Sequence, residues 1–159
     1  AGYMLWMDDE TCDAYDMLNL HPALPTGPKG TWQEVIWQLI GEDAEDQGVM
    51  MHICTKEHDR GDALTYCRFP IRGGDYDALW AQMYEKLKTK DLEQIRAEEG
   101  EPLFRRIRED GAKRELPLIV ETIRLFADGK VCIRDKRLWR DGKKLDGPYD
   151  LSKEVDGAI

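Results

Sequence analysis

Apolar positions along this chain follow two rhythms. One is a three-and-four spacing at 32–40 and 79–95; the other is an every-other spacing after 117, while 49–71 holds short apolar runs broken at a turn. The first describes one face of a helix and the second a half-buried strand. Trp32, Val35, Ile36, Leu39 and Ile40 form the stripe of a helix over 31–41. Thr31 and Glu34 have the spacing of a capping box at its start, and Gly41 begins its end. Leu79, Trp80, Met83, Leu87, Leu92 and Ile95 predict a longer helix over 76–97, entered at Asp75 and broken by Gly100 and Pro102. A short basic helix follows at 103–109.

Nearer the start, the aromatic run 3–6 predicts an opening strand. Asp8, Asp9 and Glu10 then mark the first turn of a helix ending near Leu20, since acidic side chains suit the positive end of the helix dipole. Residues 21–30 hold three prolines and two glycines and predict a loop. Strands at 49–55 and 64–69 form a hairpin across the turn 59–62. With Arg60-Gly61 as its two loop residues, Cys54 faces Cys67 and His52 faces Phe69. Both strand faces are apolar, as in a central hairpin covered on each side.

Residues 116–126 fit two templates: Leu116, Ile119, Val120 and Ile123 suit a helix, and alternation suits a strand. Asp128-Gly129 and Asp141-Gly142 are hairpin-turn pairs and tip the balance to a three-stranded meander over 117–147. The polar tail from 148 is expected to fray. Together the elements predict one compact α+β domain over 1–159, a hairpin and a C-terminal meander packed with two main amphipathic helices.

Composition changes little in that picture. At 159 residues, 42% hydrophobic and 35% charged, the chain suits a globular domain. Its apolar runs are too short to span a membrane, and its start lacks the basic flank and apolar core of a signal peptide. Ala1-Gly2-Tyr3 ahead of Met4 reads as a cloning remnant. Cys12, Cys54, Cys67 and Cys132 form no CxxC pair, which points to reduced thiols in the cytoplasm.

Charge changes more. Residues 1–60 carry 12 acidic against three basic side chains, whereas 105–144 carry 13 basic against seven acidic. The acidic head favours a binding or regulatory protein over an enzyme. Asp8, Asp9, Asp13, Asp16, Glu42, Asp43, Glu45 and Asp46 would engage the basic surface of a larger, nucleic-acid-handling protein, as small phage inhibitors do. An alternative is nucleic-acid binding through Lys130, Arg134, Lys136, Arg137, Trp139, Arg140, Lys143 and Lys144, where cations hold phosphates and the indole stacks a base.

A second alternative is a small metal- or thiol-dependent enzyme built on His52, Cys54, His58 and Cys67, with H-x-C on one strand and a thiol opposite. Buried core thiols explain the same residues more simply. Arg60-Gly61-Asp62 is read as a turn. No Walker, Rossmann, kinase, hydrolase, zinc-finger or RNA-recognition pattern holds, and no calcium-loop spacing occurs. No cofactor is called for. The expected partner is a basic protein, with nucleic acid second and a homodimer open.

Overall fold

The computed structural model describes residues 8–55 and 61–159. The opening strand expected at 3–6, residues 1–3 read above as a remnant, His58 and the turn residues Asp59 and Arg60 lie outside the described residues. In chain order the elements are α1 (Asp9–Ala14), β1 (Leu18–His21), α2 (Trp32–Gly41), β2 (Asp46–Ile53), β3 (Ala63–Pro70), α3 (Asp75–Leu87) and α4 (Leu92–Arg96). Then follow α5 (Pro102–Ala127), β4 (Cys132–Arg134), β5 (Arg137–Arg140), β6 (Lys143–Lys144), β7 (Tyr149–Asp150) and α6 (Ser152–Asp156). One sheet has the order β1-β2-β3-β7, antiparallel except for the parallel β3–β7 pair, and a small antiparallel sheet has the order β4-β5-β6. The result is the expected single α+β domain.

Several elements differ from the pattern-based expectation. Asp8 caps α1 by accepting from the Thr11 amide at 2.8 Å, but the helix stops at Ala14. Residues 18–21 alternate Leu-Asn-Leu-His and pair with β2 instead. The long helix expected over 76–97 breaks because Asp91 and Gln94 form their own capping box and start α4. The short helix expected at 103–109 is the first third of α5, which runs 26 residues and contains 116–126.

Asp128-Gly129 is therefore a helix stop, not a hairpin turn. Asp128 caps α5 and Gly129 turns the chain at φ 67°. A glycine at positive φ serves both purposes, so the dipeptide alone does not discriminate between them. Burial decides the matter. Leu118, Thr122 and Leu125 lie one turn apart against the sheet, and Thr122 shares a buried hydroxyl–hydroxyl hydrogen bond with Thr65 at 2.6 Å. The meander itself survives in shorter form over 132–144. The tail expected to fray is packed, with Leu151 and Val155 buried.

The hairpin register also differs. Val49, not Cys54, lies opposite Cys67, and Gln47, not His52, lies opposite Phe69. This shift is by an odd number of residues, which moves His52 and Cys54 to the face away from Cys67. Val49, Met51, Ile53 and Cys67 instead join Leu118 and Leu125 of α5 in one core. A second core lies beyond the Pro70 end of β3, where Ile36, Trp37 and Ile40 of α2 meet Trp80, Met83, Ile95, Leu103 and Ile107. β2 is central and buried from Gln47 to Ile53, as the two apolar faces require.

Burial of Cys67 has a measurable consequence. Removal from water pushes its thiol from the ordinary 9.0 up to about 11. Below pH 9 the folded and unfolded chains both hold this proton. Between pH 9 and 11 only the unfolded chain releases it, so stability falls as pH rises. At roughly 1.4 kcal/mol per pH unit the loss approaches about 2–3 kcal/mol. Urea midpoints of the wild type and Cys67→Val, compared across this range, are expected to diverge, the wild type falling more steeply.

Candidate functional site

β1 and β2 pair so that Asn19 lies opposite His52 and His21 opposite Met50. Strand alternation puts Asn19, His21 and His52 on one face of the sheet, away from α5. His21 and His52 are 3% and 2% exposed, their ring centroids are 6.4 Å apart and their planes stand at 85°. Asn19 is exposed. This face therefore sets a solvent-facing carboxamide beside two buried imidazoles.

Local structure orients both rings. His21 Nε2 lies 3.0 Å from the Pro28 carbonyl oxygen, and His52 Nδ1 lies 3.1 Å from that of Ile53. A carbonyl oxygen only accepts, so these nitrogens carry the protons. In the neutral rings the basic lone pair is then on Nδ1 of His21 and Nε2 of His52. The loop 22–30 that supplies the Pro28 carbonyl is pinned in turn. The buried Gln47 donates from Nε2 to the Pro22 carbonyl at 3.0 Å, and the Gly27 amide donates to the Leu24 carbonyl at 2.8 Å.

Leu24 lies over Gly48. A Cβ on that glycine would strike the Leu24 side chain and come within 2.6 Å of the Cys67 carbonyl oxygen. Gly48→Val is therefore expected to destabilise the fold by about 1–3 kcal/mol or more through overpacking. It should also displace the loop behind His21. A fall in urea midpoint together with faster amide exchange at 22–28 would show both effects.

The residues singled out by charge are scattered. Asp8, Asp9, Asp13 and Asp16 lie at the Ile53 end of β2, while Glu42, Asp43, Glu45 and Asp46 lie at its start. Eight strand residues separate the two groups by roughly 23 Å. Several are already engaged. Asp43 accepts from Arg72 at 2.5 Å and from Tyr84 at 2.6 Å, and the Tyr84 and Arg72 hydrogen bonds hold its carboxyl below the usual range. Asp46 pairs with Arg68 at 3.3 Å, and Glu42 accepts from Gln38 at 2.7 Å.

In the basic group, Lys130 pairs with Asp128, Lys136 with Asp16 and Arg137 with Asp62. Arg140 reaches Tyr149 and Asp141, Arg134 lies over the Trp139 ring at 5.7 Å, and Lys143 and Lys144 are exposed. Leu138 is the buried residue of β5, and Trp139 is half-buried. Arg137 and Lys144 border a polar cavity of about 240 Å³ whose wall includes Asp62 and Ala63. No cluster of three metal-ligating side chains occurs among the described residues, and Cys67 stands on the other face from His52 and Cys54.

No protein-family model and no curated protein matches the sequence. Solved structures do. Phosphoribosylglycinamide formyltransferase of Coxiella burnetii, in complex with CHES, superposes with a TM-score of 0.62 at 20% identity, over 94% of this chain and 58% of that one. The chain has the formyltransferase fold. Glycinamide ribonucleotide transformylase 1 of Symbiobacterium toebii matches with a TM-score of 0.53 at 24% identity, over 88% and 53%. Formyltetrahydrofolate deformylase of Pseudomonas syringae pv. tomato matches with a TM-score of 0.57 at 14% identity, over 87% and 37%. The chain thus spans little more than half of the formyltransferases it resembles.

The likeness to formyltransferases overturns the expectation of a non-enzymatic acidic inhibitor or regulator. Charge asymmetry misled because it reports on solvation and encounter, not on fold or chemistry. Asn19 and His21 escape the pattern reading because an acidic helix start predicts helix up to about Leu20 and the prolines and glycines of 21–30 predict a loop. The available signal was the alternation Leu18-Asn19-Leu20-His21, which puts two polar, chemically capable side chains on the same face of a strand. No helix among the described residues is long and apolar enough to cross a membrane.

Proposed function

We propose that this chain belongs to an enzyme that moves a formyl group off a folate-type carrier, and that Asn19 and His21 act on the reacting atoms. The observation that carries the proposal is the placement of Asn19, His21 and His52 on one sheet face of a formyltransferase fold. Fold alone hosts many reactions, so the chemistry rests on these side chains.

Formyl transfer is an acyl transfer. An amine or a water attacks the formyl carbon, a new bond to that carbon forms, and the carbonyl oxygen becomes an oxyanion. The basic nitrogen of His21 takes the proton from the attacking atom and returns it to the carrier nitrogen as the old carbon–nitrogen bond breaks. The Asn19 carboxamide, exposed beside the histidines, donates to the oxyanion. His21 is held for this by the Pro28 carbonyl, which fixes the tautomer. The four cysteines are thiols, which suits a reducing cytoplasm.

The test is direct. Purified protein is incubated with formyltetrahydrofolate, and both formate release and the absorbance change of the deformylated carrier are followed. Formate identifies water as acceptor. Carrier turnover without formate, on addition of an amine, identifies transfer. Neither signal, from folded protein at substrate saturation, rejects the function.

A further inference from the structure

We propose that the turn joining β4 and β5 is a positioning clamp, in which Lys136 and Arg137 set the two strands that carry Asn19 and His52; as a statement about catalysis this rests on the proposed function. The turn residues Asp135 and Lys136 both sit in the left-handed region, at φ 51° and 57°. This is the conformation of a tight hairpin turn that usually selects Asn and Gly. A lysine held there is sustained by what surrounds it.

Those surroundings are the flanks of the site. Lys136 Nζ donates to the Tyr15 carbonyl at 2.7 Å and to Asp16 Oδ1 at 2.9 Å. Both acceptors lie on the connection between α1 and β1, three and four residues before Asn19. The next residue, Arg137, ion-pairs with Asp62. The Asp62 carbonyl accepts from the Ile53 amide at 3.0 Å, and the Ile53 carbonyl in turn accepts from the His52 ring. Ala63, next to Asp62, is the sheet partner of His52. The two arms meet where the Cys54 amide donates to the Met17 carbonyl at 2.8 Å. One exposed hairpin tip thus reaches both strands of the site through an unbroken chain of contacts.

The experiment compares wild type with Lys136→Met, Arg137→Met and the double variant. Asp16→Asn and Asp62→Asn remove the same contacts from the other side, and Lys136→Arg and Arg137→Lys serve as conservative rescues. The readouts are the imidazole nitrogen signals of His21 and His52, amide exchange at 15–18, 52–54 and 61–63, and kcat against KM for formyl release.

Arg137→Met is expected to shift the His52 signal and speed exchange at 61–63. Lys136→Met is expected to speed exchange at 15–18. Each lowers kcat about fivefold with KM little changed, the size of one well-formed surface ion pair. The rescues recover most of the loss. Unchanged ring signals and exchange rates in both the Met and the Asn variants overturn the clamp. If the wild type moves no formyl group, the proposed function fails, while the imidazole signals and exchange rates still decide the clamp.

Discussion

His21→Gln is expected to reduce formyl release by about 10²–10⁴-fold, the range ascribed to a positioned general base. Glutamine isolates the effect. Its side-chain amide still donates to the Pro28 carbonyl and fills most of the buried space, but it offers no basic nitrogen. Stability should therefore stay close to that of the wild type, and the loss should fall on kcat. Asn19→Leu tests the other arm, because removing one oxyanion donor costs about 10²–10³-fold. Losses that are much smaller than additive in the double variant would show both residues acting in one transition state. A His21→Gln protein that keeps a tenth or more of the wild-type rate would remove His21 from the chemistry.

Trp80→Ala carries the largest expected cost in stability, about 3–5 kcal/mol. The ring is 2% exposed in the core shared by α2, α3 and α5, and its indole nitrogen donates to the Ile71 carbonyl at 2.6 Å. Arg72 lies 3.6 Å above the ring and ties the end of β3 to the α2–β2 connection through Asp43 and Ala44. Truncation therefore removes core volume, a buried hydrogen bond and the platform beneath a guanidinium. Trp80→Phe keeps most of the volume and isolates the unsatisfied carbonyl, at about 1–3 kcal/mol. Urea denaturation of the three proteins checks the order, and a Trp80→Ala protein as stable as the wild type would contradict it. Activity of the Phe variant should be nearly normal, because this core lies beyond the Pro70 end of β3 while His52 pairs near its start.

The helix over 31–41 was legible because its signals are local. Thr31 and Glu34 bond each other's backbone within one turn, and the stripe from Val35 to Ile40 is buried as its spacing requires. The α+β class and the turn at Asp141-Gly142 were legible for the same reason. The strand at 18–21 was harder to read: four residues of alternation are weak beside an acidic helix start and a proline-rich loop. Even so, Asn19 and His21, on which the proposed function rests, stand in that short run.

Residue order alone thus determined where polar and apolar side chains alternate, where helices begin, and that the chain can bury a core. Tertiary structure alone decided three further things. It chose helix over strand for 116–126, because Leu118 and Leu125 had a sheet to cover. It set the register of β2 on β3, because α5 claims Val49, Met51 and Cys67 for one face and so leaves His52 on the other. And it brought His52 beside His21 across 30 residues of intervening sequence. The physical reason is common to all three. Local backbone preferences differ by less than the free energy of burying an apolar side chain, so the partner supplied by the rest of the chain settles what the local sequence leaves open.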